Sequence, residues 1–257
     1  MLGHSHAMSG LAAGAATLPW AGQAGVTGPV EQLAWVAAWG GFAMLPDLDQ
    51  GGIHWRGVMP SATGSTVARM WGPVTTTLAS VVGKIAGGHR QGTHDLLLAP
   101  VIFGLLTVLA THHPIASMVV IALGIGLALQ ALHVVIPGKV EQTVIGNVVI
   151  SALGAWWVTG TASHTLEWLP WAVAGGVVVH ILGDWLTVGG VPVPLTWVGG
   201  HSARLSAGLF KTGARAEHVV ATMFAVAAVV LVVIHSPLQG YVAPVVQPVL
   251  TSAHITP

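Results

Sequence analysis

The run Gly87-Gly88-His89-Arg90-Gln91-Gly92-Thr93-His94-Asp95 gathers two imidazoles, a guanidinium, a hydroxyl and a carboxylate into one short stretch. Its glycines make it a poor helix interior and a good tight loop, whose backbone can come close to a bound ion or phosphate. A second constellation is His180-Ile181-Leu182-Gly183-Asp184. Its i, i+4 spacing stacks an imidazole and a carboxylate on one helix face, and an ionisable group inside an apolar segment is costly enough to suggest function. The plain alternative is a His–Asp hydrogen bond joining two helices. Third, Leu45-Pro46-Asp47-Leu48-Asp49 carries carboxylates on alternate residues, which face the same way in an extended segment or simply solvate a turn. Glu217 opens the last apolar segment beside His218, where the helix dipole favours a carboxylate in any case. His4 and His6, near the N-terminus, read either as ligands or as frayed side chains.

His, Asp and Glu without any Cys suit Zn²⁺ or Mn²⁺, and suit Ca²⁺ less because it prefers oxygen alone. Candidate ligands in the first rank are His94, His180, Asp184 and Asp47, with Asp49, His6 and Glu217 next. They number more than four, enough for two ions. Arg90 would balance negative charge developing on a scissile group, and His89 or Glu217 would carry protons. A cation beside a metal needs something negative between them, either the substrate's oxygens or a carboxylate such as Asp95. His112, His113, His164 and His235 fall on the opposite side of the threading below, and His133 lies in a span without a nearby carboxylate. These five read as interface or core residues.

The elements that position these groups belong to a membrane. The chain has 257 residues, 53% hydrophobic and 6% charged, with eight Lys+Arg against eight Asp+Glu. A soluble domain carries about 25% charged residues, so most of this surface is meant for lipid. Zero net charge argues against a nucleic-acid partner. Absent cysteine removes disulfides and thiolate metal sites, and the eleven Trp residues suit membrane interfaces. The start has no basic n-region and carries His4, Ser5 and His6 where one would stand, so it reads as mature protein.

About seven windows approach the ~20 apolar residues needed to span the hydrocarbon core: 7–20, short and weak, then 30–45, 96–110, 115–136, 144–159, 168–188 and 216–235. The expected fold is all-α, a polytopic transmembrane bundle forming a single membrane-embedded domain over 1–257, with a Pro-rich tail over 237–257. Segment 74–85 reads as an interfacial amphipathic helix or a re-entrant piece. Back-and-forth threading puts the 46–95 and 189–215 connections on one side together with all eight basic residues. The positive-inside bias makes that side cytoplasmic, with the metal site at the same end. No internal repeat is visible, which removes the best sequence pointer to an inverted-repeat transporter.

His6 with Gly10, LPDLD at 45–49, GHRQGTHD at 88–95, HILGDWLTVGGVPV at 180–193 and Glu217, in that order, resemble the motifs of the YdjM-like family of LexA-regulated inner-membrane proteins. The resemblance runs over nearly the whole chain and implies a metal-dependent hydrolase in the inner (cytoplasmic) membrane. It also implies that His6, Asp47, Asp49, His89, Arg90, Thr93, His94, His180, Asp184, Thr187 and Glu217 stand at the family's motif positions. Thr93 joins Arg90, His89 and Glu217 as a catalytic candidate on that ground. Two positions depart from the pattern: Gln50 stands where His is common, and Asp95 where Ser is common. The expected activity is hydrolysis of a lipid or lipid-linked ester or phosphoester through a metal-activated water. The alternatives are a cation or proton transporter using the same cluster and a metal-stabilised scaffold. Transport would place ionisable groups near the midplane and on both faces, whereas these gather at one.

Overall fold

The computed structural model describes residues 1–50, 54–56, 59–61, 67, 70–132, 140, 143–161, 166–199 and 203–236. His133, His164 and the 237–257 tail lie outside them. The helices are α1 (Gly3–Ala16), α2 (Leu18–Ala21), α3 (Pro29–Phe42), α4 (Pro73–Ile85), α5 (Leu98–Thr111), α6 (Pro114–Leu132), α7 (Val144–Thr161), α8 (Leu169–Leu186) and α9 (Arg215–His235). The connections also hold two short antiparallel hairpins that the sequence pattern did not suggest, β1 (His54–Arg56) with β2 (Met59–Ser61) and β3 (Val191–Pro192) with β4 (Arg204–Leu205).

Among the described residues four helices, α6 to α9, are long and apolar enough to cross a membrane, and α5 is a shorter apolar helix. With 21 residues, α9 is about 32 Å long at 1.5 Å per residue, against a hydrocarbon core of about 30 Å. By contrast α1 and α3 have 14 residues each and reach only about 21 Å. The first apolar segment starts and stops earlier than expected. Thr17 ends α1 by turning its hydroxyl onto the Ala13 and Gly14 carbonyls (3.0 and 2.9 Å), and Pro19 can open only a new turn. His4 and His6 therefore lie inside a helix instead of fraying before one. At α3, Pro29 follows Gly28 and the Glu31 carboxylate accepts from the Gly28 amide at 2.9 Å, satisfying an orphan donor at the positive end of the helix dipole.

The short helices form the middle of the bundle. Helices α1, α3 and α8 contact one another, while α9 lies on α1, α6 on α3, α5 on α8 and α7 on α6. Backbones meet where side chains are small, as membrane packing requires: a Cβ on Gly41 would stand 2.1 Å from the Gly124 carbonyl oxygen, and one on Gly10 2.4 Å from that of Trp39. The outer helices turn large apolar residues outward, among them Leu105, Leu109, Ile145, Val219 and Met223. So wide an exposed apolar surface fits a lipid environment.

Candidate metal centre

Four segments converge on one buried cluster. Helix α1 brings His6, the 3₁₀ turn Pro46–Gln50 brings Asp47 and Asp49, the loop before α5 brings His89, Arg90, Thr93 and His94, and the end of α8 brings His180 and Asp184. The turn after α3 is held from behind by α4, whose inward face carries small residues at i, i+4 spacing, the buried Thr75 and Ala79 and the half-buried Gly83. A Cβ on Gly83 would stand 2.8 Å from the Asp49 carbonyl. Helix α4 thus braces the two carboxylates while Val74, Val81 and Ile85 face outward, which accords with the interfacial reading of this segment.

Among the described residues three overlapping triads have ligand atoms within 4.8 Å of one another: His6, Asp47 and His180; Asp47, His89 and His94; and His94, His180 and Asp184. The first-rank sequence candidates all lie in them. His94, His180 and Asp184 are essentially inaccessible, Asp47 and Arg90 are slightly open (10% and 16% of their side chains), and His89 is 42% exposed. Solvent and any substrate therefore approach from the side of His89, Arg90 and Asp47.

Hydrogen-bond partners decide what the two buried imidazoles can do. His180 Nδ1 lies 2.6 Å from the Ala43 carbonyl oxygen, which only accepts, so that nitrogen carries the proton. His94 Nδ1 faces Thr93 Oγ1 at 3.0 Å and Asp49 Oδ2 at 3.3 Å. The Thr93 hydroxyl donates to Asp49, so its oxygen is an acceptor for His94. In the neutral rings both Nε2 atoms are then bare, and they face each other at 3.1 Å with Asp184 Oδ2 3.5 Å from one and 3.9 Å from the other. Two opposed lone pairs this close repel unless a cation sits against both. Ligands at the 2.0–2.1 Å typical of Zn–N lie about 3.3 Å apart in a tetrahedron, and imidazoles whose far nitrogens donate to a carbonyl or carboxylate are the usual form of metal ligands. The residues present fit a divalent ion.

The remaining candidates fall into different places. His6 stacks on His180 with ring centres 3.7 Å apart and rings 14° from parallel. Its Nε2 lies 3.3 Å from Asp184 Oδ1, and its Nδ1 has no hydrogen-bond partner among the described residues. Asp49 stands one layer out from the triads. Its oxygens take His89 Nδ1 (2.7 Å), the Arg90 amide (3.1 Å), the Thr93 hydroxyl and His94 Nδ1. Burial alone would raise the Asp49 carboxyl, but its hydrogen bonds with His89 and His94 hold it down at about 2. Burial likewise pushes the His89 imidazole down, and Asp49 outweighs that and raises it. Thr93 is occupied between Asp49 and His94 and orients the ring rather than meeting a substrate. Arg90, with φ of 58°, sends its amide to Asp49 and its Nη2 to Asp184 Oδ1 at 2.8 Å; a left-handed backbone at a non-glycine residue marks a constrained site. The Met1 amino group also reaches Asp184.

Two carboxylates are engaged elsewhere. Glu217 accepts from the Leu2 amide and from the Gly213 amide at 2.7 Å, tying the start of α1 to the start of α9. Asp95 does not pair with Arg90. It takes the Leu97 and Leu98 amides at the start of α5 (2.9 and 3.0 Å) and the Leu195 amide and Trp197 indole of the 189–199 segment (2.6 and 2.9 Å), which hold it below its ordinary range against the effect of burial. Thr187 closes α8 by donating to the Asp184 carbonyl at 2.8 Å.

Two glycines matter that residue chemistry alone did not single out. A Cβ on Gly183 would lie 3.2 Å from His6 Nδ1, and one on Gly189 would lie 2.2 Å from Arg90 Nη1. Gly183 is three residues from His180 and adjacent to Asp184, and a small residue among ligands on one helix face is a sequence sign of close approach.

Fold and cluster together define a multi-pass membrane protein with a metal-competent His/Asp centre. The model of the YdjM inner membrane protein family matches residues 1–136, and the chain belongs to that family. The matched span contains His6, Asp47, Asp49 and the His89–His94 loop; His180, Asp184 and Glu217 lie beyond it. No curated protein and no solved structure matches the chain.

Proposed function

We propose that this protein is a metal-dependent hydrolase of a lipid-linked ester or phosphoester, working at the cytoplasmic end of a bundle whose seven apolar helices thread back and forth through the inner membrane. The observation that carries the reading is the facing pair of bare imidazole nitrogens, His94 and His180, with Asp184 and Asp47 around them and Arg90 at the open edge. These residues would hold Zn²⁺ or Mn²⁺, one ion or two. When bound, such an ion polarises the scissile group's oxygen and lowers the pKa of water.

The chain's own residues supply the rest. Arg90 commits one guanidinium nitrogen to Asp184, and its remaining donors are available to an anionic oxygen, for which a planar fork is suited. His89 is the exposed imidazole of the loop and is held through Nδ1 by Asp49. Its other nitrogen faces away from that bond, as a group that hands a proton to a leaving oxygen must. The gathering of ionisable groups at one end favours hydrolysis over transport. The test is a screen of phospho- and acyl-ester lipids with metal-loaded protein in bilayer discs. Turnover that His89→Gln and Arg90→Lys each lower at unchanged metal content supports the reading; a metal-loaded protein that cleaves none of them contradicts it.

A further inference from the structure

Beyond α8 the chain doubles back in the β3–β4 hairpin, which pairs Val191 with Leu205 and Pro192 with Arg204. Its tightness depends on Gly190, at φ 61°, where a Cβ would stand 2.4 Å from the Leu205 carbonyl oxygen. Two further bonds tie the returning strand to the end of α8: the Ser206 hydroxyl donates to the Thr187 carbonyl at 2.5 Å, and the Ala207 amide to that of Trp185 at 2.8 Å. So anchored, Arg204 donates through Nη1 to the Gly189 carbonyl at 3.1 Å.

Gly189 is also where Arg90 lies, since a Cβ on that glycine would meet Arg90 Nη1 at 2.2 Å. Guanidinium groups from two distant segments therefore converge on one residue, whose dimensions put their Nη1 atoms within about 9 Å of each other. Arg90 commits Nη2 to Asp184, whereas the partner of Arg204 among the described residues is a carbonyl and no carboxylate. Both keep N–H donors open, and Arg204 is exposed. At the same end of the bundle Lys84, Lys211 and Arg215 are exposed too, while the carboxylates of the metal centre, Asp95 and Glu217 are buried. Cations gathered in this way repel one another, and an anion placed between two of them removes the repulsion.

We propose that Arg204 joins Arg90 in binding the phosphate of a lipid phosphomonoester, and that this is the substrate class of the metal centre; the assignment rests on the hydrolase reading above. An acyl ester carries no charge for Arg204 to meet. A phosphodiester has two terminal oxygens, whereas a monoester has three and a charge of about −1.5 to −2 at pH 7. Three oxygens allow one charge-assisted bond of about 2.8 Å from each guanidinium and leave one directed at the centre. Arg204 thus selects a monoester over a diester, and it bonds to none of the candidate metal ligands among the described residues.

The test is calorimetric titration of full-length protein in phosphatidylcholine discs, with its metal content recorded. The ligands are a dihexanoyl phosphonate analogue of phosphatidic acid, whose P–C bond resists hydrolysis, and the monomethyl ester of that phosphonate. The unmodified protein should bind the phosphonate about tenfold or more tightly than its methyl ester, the worth of one hydrogen bond between charged groups. In Arg204→Gln that ratio should fall to about one at unchanged metal content; a merely structural role would weaken both ligands alike, and a ratio left intact overturns the proposal. Arg215→Gln, which removes the same charge at the start of α9, should keep the ratio, and a loss equal to that of Arg204→Gln would reduce the effect to general surface charge and overturn the pairing with Arg90. Inorganic phosphate bound as tightly as the phosphonate would overturn the lipid as the source of the phosphate. Binding is read without turnover, so the two readings fail separately. The expected ratios with no ester cleaved would sink the hydrolase and keep the phosphate site, whereas cleavage of acyl esters by a protein that does not tell phosphonate from methyl ester would do the reverse.

Discussion

Asp49→Asn separates a residue that binds metal from one that aims a ligand. Asp49 accepts from four donors, His89 Nδ1, the Arg90 amide, the Thr93 hydroxyl and His94 Nδ1. Asn is the same size but offers one acceptor oxygen, and its NH₂ must then point at one pair of those donors. If the amide turns toward Thr93 and His94, His94 loses the acceptor that keeps its Nδ1 protonated and its Nε2 bare toward His180. Losses of orienting partners of this kind cost about 10–100-fold in metal affinity, or roughly 1.4–2.7 kcal/mol. Competition against a chromophoric chelator measures this directly, with the metal-free melting temperature recorded beside it. Affinity equal to that of the unmodified protein would refute the orienting role. A loss as complete as that of Asp184→Asn would show Asp49 to be a ligand itself, the place its spacing from Asp47 first suggested.

Gly183→Ala should crowd His6, whose Nδ1 a new Cβ would approach to 3.2 Å, and lower metal affinity with little change in helix content by circular dichroism. Glu217→Gln should destabilise the fold by about 1–3 kcal/mol through a less well satisfied pair of amides and leave metal stoichiometry unchanged, read from thermal melts and elemental analysis. Gly189→Ala would bring a carbon to 2.2 Å from the Arg90 guanidinium; hydrolysis should fall while metal content holds, and an unchanged rate would argue against Arg90 at the reacting group. Chelation should lower the melting temperature of the unmodified protein, since an ion at a hundred times its dissociation constant adds about 2.7 kcal/mol, and should leave a His94→Ala, His180→Ala variant unmoved.

Long apolar windows and dense polar motifs were legible in the sequence because both are one-dimensional signals. Helices α6 to α9 fall within a few residues of their apolar windows, and His94, His180, Asp184 and Asp47 meet as their types and spacing suggested. Where a carboxylate turns was not legible. Asp95 sits in the densest motif yet faces α5 and Trp197, and Glu217 serves two backbone amides. Any carboxylate near a helix start can cap it, so residue type and position do not separate a ligand from a cap. The bounds of the first apolar helix, not its length, were misjudged, because His4 and His6 look polar in isolation, whereas stacking on His180 buries His6. The bracing of Asp49 by α4 depends on Gly83, a residue without chemistry of its own.

The most direct test of the metal centre is the metal content of full-length protein purified without chelator, measured for the unmodified chain and for the His94→Ala, His180→Ala variant. Binding between the two facing imidazoles predicts at least one Zn or Mn per chain in the first and a loss of that ion in the second. A metal-free unmodified protein that takes up neither Zn²⁺ nor Mn²⁺ on addition, or a double variant with its metal intact, would contradict it.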